Sequence, residues 1–268
     1  MNLRFVIKAL ILAIPLALLI TAGWILARMG FTQIADPTPP PPTFLVPQGD
    51  RPTGMVGLRE WAQYRNEPYQ PVGSGFFLLL DSDEVVGVTT AHSVSVGNPN
   101  RPLDRIALGI AGHPEQRWEY TVLRGLPGHP VGAANLSADY LLLDARIQLP
   151  EELLLEADRR GAPQPGERVI LYSGLGDGHG SPDVHEGTVQ SVDDRGFWML
   201  TDRWFNPAQM SGSPIVSQHT GQVVGMVVAG SPRLGRNLLG AHPIGSLVSL
   251  ASSATEFPSL SEISAESQ

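Results

Sequence analysis

The sequence predicts an all-β domain that begins near residue 54. From there to residue 229, short apolar runs follow one another, and Gly, Pro and Asp residues separate them. Many short strands at such spacing are typical of a β-sandwich or of β-barrels, and periodicity does not choose between the two. The runs cover residues 75–80, 85–89, 105–110, 118–123, 140–145, 168–172, 185–192, 197–201, 213–217 and 222–229.

Composition excludes some classes of protein. A chain of 268 residues holds one large domain or two small ones, and a hydrophobic share of 42% suffices for a core. The net charge of -8 argues against nonspecific binding to nucleic acid. Because the chain has no cysteine, its fold does not depend on disulfides. We expect no nucleic-acid partner and no cofactor, and the sequence leaves the oligomeric state open.

The N-terminal segment predicts a membrane anchor over residues 1–30. Residues 9–27 are uncharged, and as a helix rising about 1.5 Å per residue they would cross a hydrocarbon core of about 30 Å. Arg4 and Lys8 precede this run and Arg28 follows it, so the positive-inside rule places the N-terminus in the cytoplasm. The alternative is a cleaved signal peptide. Both interpretations put the rest of the chain in the periplasm or outside the cell.

Residues 31–53 predict a linker rich in proline. Six prolines fall between residues 37 and 47, which favours an extended polyproline II spacer. Such a run is also typical of ligands for proline-binding modules, but a position beside a membrane helix favours a stalk.

Two helices and a tail are expected among the strands. Residues 150–160 predict a helix, because a proline stands at its start, acidic residues follow and arginines come last. Residues 244–251 predict a short closing helix, and residues 259–268 predict a disordered tail.

Three short segments carry candidate chemistry, and each lies beside a predicted strand. In chain order they contain His92, within Thr-Ala-His, then Asp139, before Tyr-Leu-Leu-Leu, and finally Ser211, within Ser-Gly-Ser-Pro. A hydroxyl group is a poor nucleophile at neutral pH, so it needs an adjacent base, and that base needs a third group to orient it. The chain offers one candidate for each role.

These segments resemble motifs of the chymotrypsin-fold (trypsin-like) serine peptidases, especially the bacterial Deg or high-temperature-requirement proteases and the glutamyl endopeptidases. Weaker matches to family motifs, among them Gly-Ser-Gly-Phe at 73–76, extend the resemblance from about residue 54 to about residue 249. It implies two six-stranded antiparallel barrels with the active site between them, in a peptidase domain over residues 54–258. The implied activity is that of a serine endopeptidase acting on proteins or peptides.

The resemblance also implies a role for each candidate residue. His92 would be the general base, Asp139 would orient its imidazole, and Ser211 would be the nucleophile. Asp144 and Ser213 are the alternatives. Asp144, however, lies at the far end of its strand, and Ser213 occupies the second glycine position of the serine motif.

The oxyanion hole is where the sequence departs from the family. Its donors would be the backbone N–H groups of Gln209 and Ser211, and the family usually has glycine in place of Gln209. Glutamine adopts the backbone shape required there at a cost of order 1 kcal/mol. Losing one donor would lower the rate about 10²–10³-fold. This departure supports an alternative function, a catalytically inactive trypsin-like protein that binds peptides or acts as a scaffold.

The primary specificity pocket is implied by the same resemblance. Phe205, Val227 and Val228 would line it, and none of them carries a charge. An uncharged pocket does not repay the desolvation of a charged side chain. We therefore expect cleavage after small or medium apolar residues.

Acidic and histidine residues cluster in a Gly-rich stretch, at Asp177, His179, Asp183 and His185. A metal site is one interpretation of this cluster. Because the spacing matches no closed ligand set, we favour a solvated loop and expect no metal.

Overall fold

The computed structural model describes residues 47, 50–94, 96, 98, 100–130, 132–176 and 181–266. The predicted anchor and most of the predicted linker lie outside these residues. Within the described part of the chain, no helix is long and apolar enough to cross a membrane.

Strands dominate the described residues, as the all-β prediction requires, and two helices follow them. The strands are β1 (Leu58–Tyr64), β2 (Gln70–Leu79), β3 (Val85–Thr89), β4 (Leu103–Gly109), β5 (Arg117–Tyr120), β6 (Leu141–Asp144), β7 (Leu154–Glu156), β8 (Arg168–Ser173), β9 (Asp183–Asp193), β10 (Gly196–Thr201), β11 (Pro214–Ser217), β12 (Val223–Arg233) and β13 (Arg236–Pro243). The helices are α1 (Ile244–Ser253) and α2 (Leu260–Glu266).

The first half of the domain is a curled, open sheet of seven strands. Its order is β5-β4-β1-β2-β3-β6, and β7 pairs in parallel with β2. The outer edges approach each other at an isolated bridge between Leu123 and Leu143. The chain beyond β5 also bonds to the C-terminal segment, where the Leu123 N–H donates to the Pro258 carbonyl at 2.9 Å. The prediction of a closed six-stranded barrel is wrong for this half, because its edges meet only through the short segment after β5, where the Arg124 N–H donates to the Leu142 carbonyl at 2.9 Å and the Asp144 N–H donates to the Val122 carbonyl at 3.1 Å.

The second half is a closed six-stranded barrel, as predicted. Its order is β10-β13-β12-β11-β8-β9, and every neighbouring pair is antiparallel. Phe197, Ile215 and Leu239 are fully buried in its core. Another apolar cluster joins Phe76 of β2 to Met226 of β12, so the two halves pack on each other.

Residues 150–160 do not form the predicted helix. A 3₁₀ turn at Glu151–Leu153 leads directly into β7. Leu153 and Leu155 are buried, and β7 pairs with β2. Burial and strand pairing thus override the local helix signal.

The two C-terminal predictions have different outcomes. The predicted closing helix is confirmed by α1. The predicted disordered tail is wrong over residues 260–266, which form α2. Leu260 is buried in the core of the first sheet and Ile263 packs against that core, so apolar contacts order this segment.

Candidate active site

Two neighbouring strands of the first sheet position His92 and Asp139 next to each other. His92 lies in a 3₁₀ turn, Ala91–Ser93, that follows β3. Asp139 ends another 3₁₀ turn and stands just before β6, the strand that pairs with β3. The Asp139 side chain is buried, and its Oδ1 accepts hydrogen bonds from the backbone N–H groups of Ala91 at 2.8 Å and His92 at 3.2 Å. These backbone donors hold the Asp139 carboxylate in position beside the imidazole.

The structure brings His92 into contact with both Asp139 and Ser211. Its Nδ1 lies 2.5 Å from Asp139 Oδ2, and its Nε2 lies 2.9 Å from Ser211 Oγ. A proton on Nδ1 donates to the carboxylate, which leaves the Nε2 lone pair free to accept the serine proton. The alternatives lie elsewhere, since Asp144 pairs with Arg146 at 2.5 Å and Ser213 is fully buried.

Ser211 lies in the loop between β10 and β11, and backbone bonds hold this loop to both halves of the domain. Ser74 N–H donates to the Ser211 carbonyl and Gly212 N–H donates to the Val227 carbonyl, at 2.9 and 2.8 Å. Gly212 has a φ of 92°, and a Cβ there would lie 1.8 Å from the Ser74 carbonyl oxygen. Only glycine fits this position, which explains why glycine follows Ser211.

Gln209 adopts a backbone conformation that glycine favours. Its φ is 66°, in the left-handed region. Two groups of the first sheet hold it there: Ser74 Oγ donates to the Gln209 carbonyl at 2.9 Å, and Arg59 Nη2 donates to Gln209 Oε1 at 2.5 Å. Among the described residues, the N–H groups of Gln209 and Ser211 have no acceptor. Both donors are therefore free to bind an oxyanion.

The hydrogen bond from Arg59 to Gln209 predicts that the effect of replacing Arg59 depends on the residue at position 209. Arg59→Met is expected to lower kcat about tenfold with little change in KM, because Gln209 can then relax out of its strained conformation at a cost near 1.4 kcal/mol. Steady-state kinetics on a peptide substrate measure both constants. In a Gln209→Gly background, where glycine keeps the conformation unaided, Arg59→Met should change kcat less than twofold. An equal loss in both backgrounds would show that Arg59 acts by another route.

The three residues of the implied pocket do not share one surface. Val227 packs in the barrel core with Phe205 beside it, whereas Val228 packs in the cluster shared with the first sheet. The Phe205 ring is half-buried and stacks on His185, with ring centroids 3.6 Å apart. His185 lies in β9, as the strand predicted over residues 185–192 requires, and Asp183 begins the same strand, so the solvated-loop interpretation is wrong for these two residues. His185 Nε2 lies 3.1 Å from Asp183. The environment of Phe205 thus contains a histidine that its sequence context did not indicate.

No group of three His, Asp or Glu side chains suited to a metal ion occurs in the described part of the chain. Asp177 and His179, two members of the cluster considered in the sequence, lie outside that part.

Two buried titratable groups flank Asp139. Burial raises the pKa of the Glu60 carboxyl to about 8, with a smaller opposing effect from the hydroxyls of Thr89 and Ser93. Burial also lowers the pKa of His242 to about 4, against a smaller effect of Asp139. Both groups are therefore mostly uncharged near pH 7, so neither places a second charge beside Asp139.

Glu60→Gln is expected to stabilise the protein at pH 8 and much less at pH 5. Between pH 4.5, the ordinary pKa of this carboxyl, and about 8, the unfolded chain releases the Glu60 proton while the folded protein keeps it. The carboxyl therefore destabilises the fold increasingly as the pH rises, by up to about 1.4 kcal/mol per pH unit. We expect a gain of about 1–3 kcal/mol at pH 8, measured by urea unfolding.

Glu84→Gln is the control for this titration. A hydrogen bond from Arg124 lowers the pKa of the exposed Glu84 carboxyl, so this variant should lose stability at pH 8 rather than gain it. A Glu60→Gln variant with the same stability difference at pH 5 and pH 8 would contradict the buried, neutral carboxyl.

The fold is chymotrypsin-like, with a closed barrel and a curled half-barrel. Solved structures with this fold include a thermostable serine protease AL20 from an extremophilic microorganism, with a TM-score of 0.52 and 12% identity over 75% of this chain and 98% of that one. Catalytically active tobacco etch virus protease in complex with product has a TM-score of 0.53 and 14% identity, covering 81% and 86%. Human heparin binding protein has a TM-score of 0.52 and 16% identity, covering 76% and 93%.

Comparisons of the sequence with known families and proteins do not identify a family for this chain. No family model matches the chain. A segment of 87 residues is 37% identical to rat archaemetzincin-1, and the match covers 29% of this chain and 17% of that protein. At these identities the solved structures establish the fold, and the bacterial Deg or glutamyl-endopeptidase subtype remains unsupported by them.

Proposed function

We propose that this protein is a serine endopeptidase that cleaves proteins or peptides. The observation that carries the proposal is the hydrogen-bonded series from Asp139 through His92 to Ser211, at 2.5 and 2.9 Å. Two free backbone donors, on Gln209 and Ser211, stand beside the nucleophile. Neighbours of the same fold include proteases, which supports the same class of reaction.

The mechanism follows from this arrangement. His92 Nε2 takes the proton of Ser211 Oγ as the oxygen attacks the substrate carbonyl carbon. The resulting oxyanion accepts hydrogen bonds from the Gln209 and Ser211 N–H groups. His92 then donates its proton to the leaving amine, and the C–N bond breaks to leave an acyl group on Ser211. A water molecule, deprotonated by His92, attacks that ester. The bond between the acyl carbon and Ser211 Oγ then breaks, His92 returns the proton to Ser211 Oγ, and the acid product leaves.

A fluorophosphonate probe tests the proposal directly, because it reacts with a serine activated by a general base. The full chain should be labelled once, with the adduct on Ser211 by peptide mass spectrometry, and Ser211→Ala should remain unlabelled. Absence of labelling in the wild-type chain would instead favour a peptide-binding protein without catalysis.

We also propose that residues 1–30 anchor the protein in a membrane with the peptidase domain outside the cytoplasm. The proposal is supported by the uncharged run at 9–27 and the positive residues before it. A tag placed after Gln268 should be accessible to antibody from outside intact spheroplasts. A tag protected until the membrane is lysed would refute this topology.

Cleavage is expected after Val, Ala or Leu. Val227 and Phe205 are apolar, and Val227 looks like the position where glutamyl endopeptidases carry the histidine that meets the substrate carboxylate. His185, which stacks on Phe205, already contacts Asp183 at 3.1 Å, so a charged side chain would lose hydration worth several kcal/mol without a free partner. A peptide library with every residue at the cleaved position, sequenced after partial digestion, measures the preference. A strong preference for Glu, Lys or Arg would contradict it.

A further inference from the structure

Three arginines differ from the rest in having no acceptor for their guanidinium groups. The guanidinium groups of Arg203, Arg233 and Arg236 make no hydrogen bond or ion pair within the described residues, whereas every other arginine there has a hydrogen bond, an ion pair or another contact of its side chain or backbone. The chain as a whole carries a net charge of -8, so carboxylates are not scarce. Their lack of partners is therefore a local feature.

The same three arginines lie together. Arg233 and Arg236 face each other at the end of the hairpin formed by β12 and β13. Arg203 follows β10, which pairs with β13, and Thr201 links the segments: its Oγ1 accepts from the Asn237 N–H at 2.8 Å and donates to the Arg203 carbonyl at 2.8 Å.

The nearest carboxylate is already engaged. Both oxygens of Asp202 accept from Arg168, at 2.8 and 2.6 Å. The pKa of Asp202 is lowered mainly by this hydrogen bond, with smaller contributions from Arg236 and Arg203. The Arg203, Arg233 and Arg236 guanidinium groups thus remain available for an external anion.

Two exposed apolar side chains accompany these charges. Leu234, between the facing arginines, is 92% exposed with a φ of 41°, and Trp204 is 58% exposed. A left-handed leucine is strained, and like charges directly opposite each other on a hairpin destabilise it. The two-residue turn at Leu234 and Gly235 accounts for the left-handed backbone. The turn requires neither an exposed leucine nor facing arginines, and this choice of side chains is typical of a surface kept for binding. We call Arg203, Trp204, Arg233, Leu234 and Arg236 the hairpin-tip surface.

The hairpin-tip surface is connected to the nucleophile by a single strand. Gly212, next to Ser211, donates to the Val227 carbonyl of β12, and β12 continues from there to Arg233. At about 3.3 Å per residue the six intervening steps span about 20 Å. An extended peptide with its scissile bond at Ser211 therefore reaches the tip with residues about six positions away.

We propose that the hairpin-tip surface binds an acidic segment of the substrate, about six residues from the scissile bond. The inference rests on the proposed peptidase function and adds a substrate class to it. Guanidinium groups match carboxylates in charge and in fork geometry, and the exposed leucine and tryptophan offer contact area for an apolar residue within the segment. An extended peptide is favoured over an anionic membrane because one rigid strand sets the distance from the tip to the nucleophile.

The test compares two sets of peptides that share one cleaved sequence. One set carries Glu-Glu-Glu, and the other Gln-Gln-Gln, five to seven residues before or after the scissile bond. In the wild-type chain the Glu triplet on one side should raise kcat/KM at least tenfold over Gln, and 0.5 M NaCl should remove most of the gain. Arg233→Glu combined with Arg236→Glu should abolish the preference while leaving the Gln peptides cleaved at the wild-type rate.

Matched controls separate charge from position. Arg159→Glu with Arg195→Glu makes the same change in net charge at exposed sites far along the sequence, and it should retain the preference. No Glu preference in the wild-type chain, or an equal preference in the Arg233/Arg236 variant, would overturn the proposal.

Peptide binding measured with the Ser211→Ala variant tests the hairpin-tip surface without requiring peptidase activity. Fluorescence anisotropy with labelled peptides should show at least tenfold tighter binding of the Glu set, lost in the Arg233/Arg236 background, whether or not the wild-type chain reacts with fluorophosphonate. Tip-dependent binding to vesicles containing 30% phosphatidylserine, with no difference between the peptide sets, would assign the surface to a membrane and overturn the proposal.

Discussion

Ser211→Ala is expected to abolish peptidase activity, with a fall in kcat of about 10⁵–10⁶-fold. The alanine has no oxygen for His92 Nε2 to activate, so no acyl-enzyme forms. What remains is the catalysis that an oxyanion hole and a bound substrate give to attack by water. Single-turnover cleavage of a fluorogenic peptide by the full chain measures the loss, and unchanged far-ultraviolet circular dichroism shows that the fold is intact.

Ser213→Ala is the matched control for this loss. Ser213 is two residues away and fully buried, and its Oγ accepts only a long bond of 3.5 Å from the Gly174 N–H among the described residues. Its substitution should leave kcat within about threefold of wild type. A Ser213→Ala variant as inactive as Ser211→Ala, or a Ser211→Ala variant with normal activity, would contradict the assignment of the nucleophile.

Two of the three strands that the sequence failed to predict, β1 and β13, share a physical cause, whereas β7 was hidden by the helix signal over residues 150–160. β1 contains Glu60, and β13 contains Asn237 and His242, and all three side chains are fully buried. A polar residue at an inward position breaks the apolar alternation on which strand prediction depends. Most strands without such residues, among them β4 and β12, could be located from their apolar runs. The motif residues were found for the same reason, because each adjoins one of these runs.

The support around Gln209 could not be predicted from the sequence. The sequence shows that position 209 is not glycine, and it shows the Gly-Ser-Gly motif that contains Ser74. It does not show that Arg59 and Ser74, which are 150 and 135 residues away from Gln209, bond to that residue. Contacts of this kind depend on how the two halves pack, and local pattern carries no information about them. The conformation of Gln209 therefore could not be inferred from the motif alone.

Asp139→Asn is expected to lower kcat about 10⁴-fold while leaving the fold and KM nearly unchanged. The amide oxygen can still accept from the Ala91 and His92 N–H groups, which hold the present carboxylate at 2.8 and 3.2 Å. The amide nitrogen then faces His92 Nδ1 as a donor, so the imidazole proton moves to Nε2 and the ring can no longer accept the Ser211 proton.

The matched control for that substitution is Asp144→Asn, on the strand that follows. Asp144 is paired with Arg146 at 2.5 Å and has no contact with His92, so this variant should keep kcat within about threefold of wild type. Nitrogen-15 shifts of the His92 ring should report the protonated nitrogen in each protein: Nδ1 in wild type and Asp144→Asn, and Nε2 in Asp139→Asn. An Asp139→Asn variant with kcat within tenfold of wild type, or with the proton still on Nδ1, would mean that Asp139 does not set the tautomer, because its carboxylate is the only acceptor of the Nδ1 proton among the described residues.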